Sequence, residues 1–294
     1  MLTALPERPL VVAANVVGEV WYRAAPRRAR MARRNLRRVA VALAAQDRGP
    51  ESARRAATDS AALERLVRAA FRHLARYYLE VARVGGVSVG QIDQRLIVET
   101  PDTVDAAAGA DGPAIIVGLH FGAIELPALY FAHRLGRSVT GPMEEVTNPG
   151  VQAWFVRSRS RAGLRLVTLR AARRELIAAL RRGESVGMVA DRDLTGGGIE
   201  VPFFGSPAPL PGGPALIALE TGAPIYAGAV RRGADGRYYG RLTAVPVPTE
   251  GSRRERITGA VAAMARVFED VVATDPAQWW ACFHPVWRDT AAPR

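Results

Sequence analysis

Residues 114–125 read Ala-Ile-Ile-Val-Gly-Leu-His-Phe-Gly-Ala-Ile-Glu, an apolar run that ends in a histidine and, five positions later, in a carboxylate. Residues 114–119 have the length and the β-branched content of a buried strand, whereas residues 124–133 have the apolar spacing of a helix. The pattern therefore places His120 at a strand-to-helix turn, where the chemistry of an α/β sheet is usually found. A neutral imidazole there can accept a proton from an alcohol, and a neighbouring carboxylate can orient the ring.

The chain continues to alternate between short strands and helices from Leu96 onward, which predicts an α/β fold with a central, mostly parallel or mixed β-sheet flanked by helices. Before Leu96 the apolar spacing is helical, with a turn at residues 46–51. We therefore expect an N-terminal helical segment over residues 1–95 and one α/β core unit over residues 96–294. The predicted strands are 96–99, 114–119, 138–141, 165–168, 185–190, 199–204, 225–230 and 238–247, and the predicted helices of the core are 123–135, 149–162, 171–182, 213–221 and 252–273.

Composition limits the classes of protein to which the chain can belong. With 294 residues and 49% hydrophobic content, the chain can bury one substantial core. The single cysteine, Cys282, excludes a disulfide framework and a cysteine-based metal site. The net charge is +12 and all 40 basic residues are Arg, which favours an anionic partner such as a phospholipid surface, nucleic acid or the phosphates of CoA.

Residues 9–24 are predicted to form an amphipathic helix that is followed by a dense run of arginines. Asn15, Glu19 and Arg23 interrupt the apolar run, so it is too short to span a membrane. The helix can lie in a membrane interface with the arginines near anionic headgroups, or it can pack on the core. Because no aromatic residues are interleaved with the arginines, nucleic acid is not expected as a partner. The predicted apolar face is Leu10, Ala13, Ala14, Val17, Val20, Trp21 and Ala24, and the arginines are Arg27, Arg28, Arg30, Arg33, Arg34, Arg37 and Arg38.

Two further blocks of sequence accompany the histidine motif. Residues 190–205 read ADRDLTGGGIEVPFFG, and residues 210–224 read LPGGPALIALETGAP. Together with His120-Phe-Gly-x-x-Glu125, they resemble the lipid A and phosphatidylinositol mannoside acyltransferase family of the lysophospholipid acyltransferase superfamily, and most of all its actinobacterial phosphatidylinositol mannoside acyltransferases. The resemblance extends from about Arg33 to Trp287, and three blocks in the same order are more specific than one.

The resemblance implies a fold like that of glycerol-3-phosphate acyltransferase and a peripheral enzyme at the cytoplasmic face of the cell membrane. Such an enzyme moves a long-chain fatty acyl group from acyl-CoA to a sugar hydroxyl of a glycolipid. His120 would be the general base, paired with either Glu200 or Glu125, and no acyl-enzyme is needed. Acyl-CoA is a co-substrate, and neither a cofactor nor a metal is expected.

Further residues are carried over from the resemblance as candidates for substrate binding. Glu144 and Arg159 approximately match a glutamate and an arginine placed around the headgroup and CoA, although Glu145, Arg157 and Arg161 leave their register open. Gly212 and Gly213 precede Pro214 at the start of a predicted helix, where they form either an anion site or an ordinary turn. Asp191-Arg192-Asp193 is a poor metal site and is predicted to form an internal ion pair that orders the loop before Gly196.

Other functions are compatible with parts of the sequence. A lipid A type acyltransferase that uses acyl carrier protein would share His120 and Glu125. A non-catalytic, Arg-rich lipid-binding protein would explain the charge but not the intact histidine motif. Residues 183–187 match the G-x-S-x-G pattern of serine hydrolases, yet the predicted order of helix and strand around Ser185 is the reverse of that motif. Nothing in the sequence points to a particular oligomeric state.

Overall fold

A computed structural model describes residues 7–290, apart from residues 85, 87, 109–111, 137, 138 and 162. Its centre is a seven-stranded sheet with helices on its faces, so the predicted α/β fold is confirmed. Ser138 and Ala162, which were predicted to begin a strand and end a helix, lie outside the described residues.

The helices are α1 (Glu7–Ala24), α2 (Pro26–Ala45), α3 (Glu51–Arg55), α4 (Ser60–Val84), α5 (Val89–Asp93), α6 (Pro101–Ala108), α7 (Glu125–Leu135), α8 (Pro149–Arg161), α9 (Ala172–Arg181), α10 (Gly213–Thr221) and α11 (Arg253–Thr274). The strands are β1 (Leu96–Val98), β2 (Ile115–Gly118), β3 (Val139–Met143), β4 (Leu164–Thr168), β5 (Val186–Val189), β6 (Ile199–Phe203), β7 (Ser206–Leu210), β8 (Ile225–Arg232) and β9 (Tyr238–Val245). Short 3-10 helices follow at Pro276–Gln278, Trp280–Phe283 and Arg288–Thr290.

The strand order of the main sheet, β1-β9-β8-β2-β5-β3-β4, places β2 between β8 and β5. The pairs are parallel except for β8 and β9, so the sheet is mixed. Gly118 and Val189, the last residues of β2 and β5, lie opposite each other. Because the two parallel strands leave the same edge of the sheet, the residues two positions beyond, His120 and Asp191, are brought together.

Strands β6 and β7 form a separate antiparallel hairpin outside the main sheet. Phe204 and Gly205 connect them with φ angles of 48° and 73°, as a tight two-residue turn requires. The sequence predicted β6 but not β7, because Pro207 and Pro209 argue against a central strand. Both prolines are tolerated here because the hairpin has free edges.

The N-terminal helices pack on the sheet through one continuous hydrophobic cluster, to which Leu36, Phe71, Ile115 and Phe268 belong. The predicted helical character of this segment is confirmed, whereas the boundary between residues 95 and 96 stays a prediction. Within the described part of the chain, no helix combines the length and the apolarity needed to cross a membrane.

Helix α1 does not bury the apolar face that the sequence predicted. Its inner face contains Ala14 and Gly18, which are buried against α4. Val17 and Val20, which were predicted to share a face with Ala14, are exposed by 56% and 59%. The sequence left open whether this face packs on the core or lies in a membrane interface. In the structure α1 packs on α4 through Ala14 and Gly18, whose small size permits a close approach, while the two valines stay exposed.

Arg232, the last residue of β8, forms a buried ion pair with Glu80 of α4. Nε and Nη2 of Arg232 each donate to the carboxylate at 2.6 Å, and Nη2 also donates to the carbonyl oxygen of Gly122 at 2.8 Å. The side chain of Arg232 is only 7% exposed. The pair therefore ties the N-terminal helices to the sheet and holds the turn that follows β2.

We predict that Glu80→Gln lowers the free energy of unfolding by roughly 3 kcal/mol or more, because it leaves the Arg232 guanidinium buried without a carboxylate. Urea denaturation of the purified protein measures this loss. The matched control is Glu175→Gln, which breaks the surface pairs that Glu175 forms with Arg165 and Arg174, both at 3.1 Å, and should cost about 1 kcal/mol or less. Equal losses in the two variants would contradict a structural role for the buried pair.

Candidate active site

His120 lies just beyond the end of β2 and pairs with Asp191, which lies just beyond β5. Nδ1 of His120 is 2.6 Å from Oδ1 of Asp191, and the backbone N–H of His120 donates to Oδ2 at 2.9 Å. Because a carboxylate only accepts hydrogen bonds, Nδ1 carries the proton and Nε2 keeps a lone pair. The side chain of His120 is 17% exposed and that of Asp191 is 0% exposed. The arrangement is a reachable base held by a buried acid.

The carboxylate of Asp191 is also bound by the C-terminal segment, since Nε1 of Trp279 donates to Oδ2 at 2.9 Å. Burial by itself would raise the pKa of Asp191. The positive charge that His120 carries when its ring is protonated, and the hydrogen bonds from His120 and Trp279, outweigh burial, so the pKa of Asp191 lies below its usual value. Asp191 is therefore ionised at neutral pH and can stabilise a positive charge on the His120 ring.

The turn that contains His120 is clamped by the same C-terminal segment. The N–H of Gly122 donates to the carbonyl of Gln278 at 3.1 Å, and the N–H of Trp280 donates to the carbonyl of His120 at 2.9 Å. Gly122 has a φ of 53°, and a Cβ at this position would lie 2.0 Å from the carbonyl oxygen of Val230. The glycine of the His-Phe-Gly motif is thus required because the backbone of Val230 approaches it closely. The site depends both on the turn after β2 and on the C-terminal segment.

Neither carboxylate that the sequence proposed as the partner of His120 contacts its ring. Glu125 instead forms a buried ion pair with Arg159 at 2.9 Å. Glu200 lies on the outer face of β6, where its side chain is 51% exposed and 3.4 Å from Arg288. The predicted pairing of His120 with Glu200 or Glu125 is therefore wrong, while a catalytic role for either glutamate stays a prediction.

An apolar cavity of about 170 Å³ lies between the sheet and α7. By the same measure one buried water needs roughly 10–15 Å³, so the space is far larger than a packing defect. Leu119 and Phe121, on either side of His120, line it, although the His120 ring itself does not. Glu125 and Arg159 form a polar part of an otherwise mainly apolar wall.

Two aromatic residues connect the dyad to this polar part of the cavity. The ring of Trp280 meets the His120 ring edge-on, with 4.5 Å between the centroids, and stacks on Tyr77 at the same distance. The hydroxyl of Tyr77 accepts a hydrogen bond from Arg159 at 3.3 Å. A chain of contacts through Trp280 and Tyr77 therefore links the His120 ring to Arg159 in the cavity wall.

The residues predicted to bind substrate fall at different places. Among the arginines near the end of α8, Arg159 is turned inward while Arg157 and Arg161 are exposed, and its charge is matched by Glu125. Glu144 follows β3 and is 53% exposed, 3.8 Å from Arg192. Both substrate-binding roles stay predictions.

Gly212 and Gly213 lie at the start of α10 and are not among the residues that line the cavity. A Cβ on Gly212 would lie 3.1 Å from the side chain of Ile199, so this glycine serves close packing. Their predicted anion site stays a prediction. Ser185 is buried and its hydroxyl accepts the N–H of Ala114 at 3.0 Å, which is a structural contact and not that of a nucleophile.

Comparison with known proteins identifies a family for this chain. The model of a family described as bacterial lipid A biosynthesis acyltransferase matches residues 1–289. The chain belongs to this family. A phosphatidylinositol mannoside acyltransferase of Mycolicibacterium smegmatis is 28% identical to this acyltransferase over 218 residues, which cover 73% of this chain and 70% of the relative. A protein of the same name from Mycobacterium tuberculosis is 29% identical over 223 residues, which cover 73% and 68%.

The sequence did not identify Asp191 or Trp279 as parts of the acyltransferase's site. Asp191-Arg192-Asp193 was predicted to form an internal ion pair that orders the loop before Gly196. The ion pair was wrong for Asp191, because its carboxylate binds His120. The loop itself is ordered by Asp193, which accepts the N–H groups of Thr195, Gly196 and Gly198. A signal was present, since Asp191 follows a predicted buried strand at its carboxyl end, as His120 does. No local pattern marks Trp279, because its indole reaches Asp191 only through the tertiary fold.

We predict that Asp191→Asn lowers kcat of acyl transfer by roughly a hundredfold or more, because an amide N–H facing Nδ1 favours the wrong tautomer of His120. Initial rates with the purified acyltransferase measure the effect. Glu200→Gln should stay near the wild-type rate, since Glu200 does not reach the ring. A large loss of activity in Glu200→Gln, together with an active Asp191→Asn variant, would refute Asp191 as the partner of His120.

Proposed function

We propose that this acyltransferase transfers a long-chain fatty acyl group from acyl-CoA to a sugar hydroxyl of a phosphatidylinositol mannoside glycolipid, as a peripheral protein at the cytoplasmic face of the cell membrane. The observation that carries the proposal is the pair of His120 and Asp191 beside a large apolar cavity. The names of the relatives support the choice of acceptor.

In this proposal His120 acts as general base. Its Nε2 removes the proton from the attacking hydroxyl while the sugar oxygen forms a bond to the thioester carbon. Collapse of the tetrahedral intermediate breaks the carbon–sulfur bond, and the departing CoA thiolate takes the proton back from the imidazolium. Asp191 stabilises the imidazolium through Nδ1 and remains ionised throughout.

The cavity beside the dyad supports a fatty acyl chain as the transferred group. Its wall is mainly apolar, and burial of methylene groups there is favourable by about 0.8 kcal/mol each. The net charge of +12 supports an anionic donor and an anionic acceptor. Both substrates carry phosphate, so a strongly basic protein attracts them at long range.

Labelled palmitoyl-CoA incubated with a polar lipid extract tests the function. We expect label in phosphatidylinositol mannosides, and we expect His120→Ala to reduce kcat by about 10²–10⁴. His133→Ala, which removes an exposed histidine of α7 outside the cavity wall, is the matched control and should stay active.

Three outcomes would contradict parts of the proposal. Label in a different lipid would refute the acceptor. Transfer from acyl-loaded acyl carrier protein but not from acyl-CoA would refute acyl-CoA as the donor and would favour the lipid A type of enzyme. A fully active His120→Ala would refute the mechanism.

The first two helices support membrane binding. Along α1, Val12, Val16, Val17 and Val20 are each more than half exposed, which leaves an apolar strip without a partner in the described structure. On α2, Arg30, Arg34 and Arg37 are exposed and form no ion pair with a described residue. An apolar strip followed by unpaired arginines fits a helix pair that lies on an anionic bilayer.

We predict that Arg34→Ala/Arg37→Ala weakens binding to vesicles of phosphatidylinositol and phosphatidylcholine by roughly 30-fold, because each arginine near an anionic surface contributes about 1 kcal/mol. Sedimentation with the vesicles measures the affinity. The control is Arg174→Ala/Arg181→Ala, which removes the same charge from exposed positions on α9. Equal weakening by both pairs would indicate that only the net charge matters and would contradict a binding face on α2.

A further inference from the structure

The floor of the cavity is made of glycines to an unusual extent. On the strands of the main sheet, the residues that line the cavity include a glycine from each of β2, β3, β5, β8 and β9. A glycine in a strand interior packs poorly and is unfavourable, so such a series needs a reason. The glycines are Gly118, Gly141, Gly187, Gly228 and Gly240.

Backbone packing explains only some of these glycines. A Cβ at Gly141 would lie 2.7 Å from the carbonyl oxygen of Gly187, and one at Gly228 would lie 1.9 Å from that of Arg241. These two positions exclude any side chain because the neighbouring strand is too close. Gly118 is different, since the nearest atoms to its Cβ would be two carbonyl oxygens at an ordinary 3.9 Å. Its neighbours therefore leave room for a Cβ, and Gly118 lines the cavity, so a larger side chain there would take up cavity space.

Gly240 is also tolerant, since its Cβ would lie 3.4 Å from the side chain of Leu96, but it is on β9, two strands away from β2. Gly187, on the strand next to β2, is the second position of interest. The atom nearest to its Cβ would be Cγ1 of Val139 at 3.3 Å, the end of a side chain that needs to move by only a few tenths of an ångström. Gly187 pairs with Ile116, whereas Gly118 pairs with Val189. Along the parallel strands Gly187 therefore lies two residues, roughly 7 Å, further from His120 than Gly118 does. That separation is the length of several methylene groups.

We propose that Gly118 and Gly187 determine the length of acyl chain that the acyltransferase accepts, with Gly118 controlling the part of the cavity near His120 and Gly187 the deeper part. The inference rests on the proposed function, because it takes the cavity as the place of the acyl chain. A side chain at Gly118 shortens the cavity close to the reacting carbonyl, and one at Gly187 shortens it only for the end of a long chain.

The test compares Gly118→Val and Gly187→Val, whose β-branched side chains suit a strand. The substrates are octanoyl-, decanoyl-, lauroyl- and palmitoyl-CoA, and kcat/KM is measured for each. We expect kcat/KM of Gly187→Val to fall at least about tenfold with palmitoyl-CoA and to stay near the wild-type value with the shorter acyl-CoAs. We expect kcat/KM of Gly118→Val to fall as much with lauroyl- and decanoyl-CoA as with palmitoyl-CoA. The longest chain accepted should therefore be shorter in Gly118→Val than in Gly187→Val.

Controls separate this effect from misfolding. Gly90→Ala adds a methyl group at an exposed position on α5 with no atom within 4 Å, and should keep the wild-type chain preference. Thermal unfolding verifies that the valine variants fold. If one of them does not fold, the alanine variant at the same position, Gly118→Ala or Gly187→Ala, replaces it. The alanine variants should shift the chain-length preference in the same order but by less. Gly228→Ala is expected to destabilise the fold, because its Cβ meets backbone.

A binding assay distinguishes failure of this inference from failure of the proposed function. Displacement of the fluorescent fatty acid cis-parinaric acid by octanoic, lauric and palmitic acid reports on the cavity without turnover. If the valine variants shift the length of fatty acid that binds, but the wild type transfers no acyl group, the inference about the two glycines would be supported and the proposed function would be overturned. Active transfer with unchanged chain preference in both valine variants, or cut-offs in the reverse order, would overturn the inference.

Discussion

The site depends on the cost of burying the carboxylate of Asp191. A charge with no exposure to solvent is stable only when hydrogen-bond donors replace the water that it has lost. Here the donors are the ring and the backbone N–H of His120 and the indole of Trp279. These groups come from the end of β2 and from the C-terminal segment, so one buried charge fixes the relative positions of His120 and of the C-terminal segment.

The same region shows how an interior can be close-packed on one side of a sheet and open on the other. Ile115 and Val117 point into the main hydrophobic cluster and are fully buried, whereas Ile116 and Gly118, on the opposite face of β2, line the cavity. A cavity of this size loses the van der Waals contacts that a filled interior would gain. A bound acyl chain would restore these contacts, which gives the empty volume a physical reason.

Much of the fold was predictable, because it follows from local pattern. The period of apolar residues identified the strands of the main sheet and the long helices, and it placed His120 at the end of a buried strand. It failed for β7, where Pro207 and Pro209 masked a strand that pairs only in a hairpin. For α1 it left packing on the core and contact with a membrane open, and the structure makes the contact with α4 through Ala14 and Gly18 while Val17 and Val20 stay exposed. For β7, pairing with a neighbouring strand overrode the preference of the segment itself.

The sequence by itself indicated the class of fold, through alternating apolar strands and helices, the family, through three ordered blocks, and the candidate base, through an apolar strand that ends in His-Phe-Gly. Only the tertiary structure decided which acid pairs with that histidine. Glu125 is near His120 in the chain, yet α7 turns it toward Arg159, whereas Asp191 is 71 residues away and is brought to the ring by the pairing of β2 with β5. Hydrogen bonds act over a few ångströms of space and not along the chain, so no local pattern contained this contact.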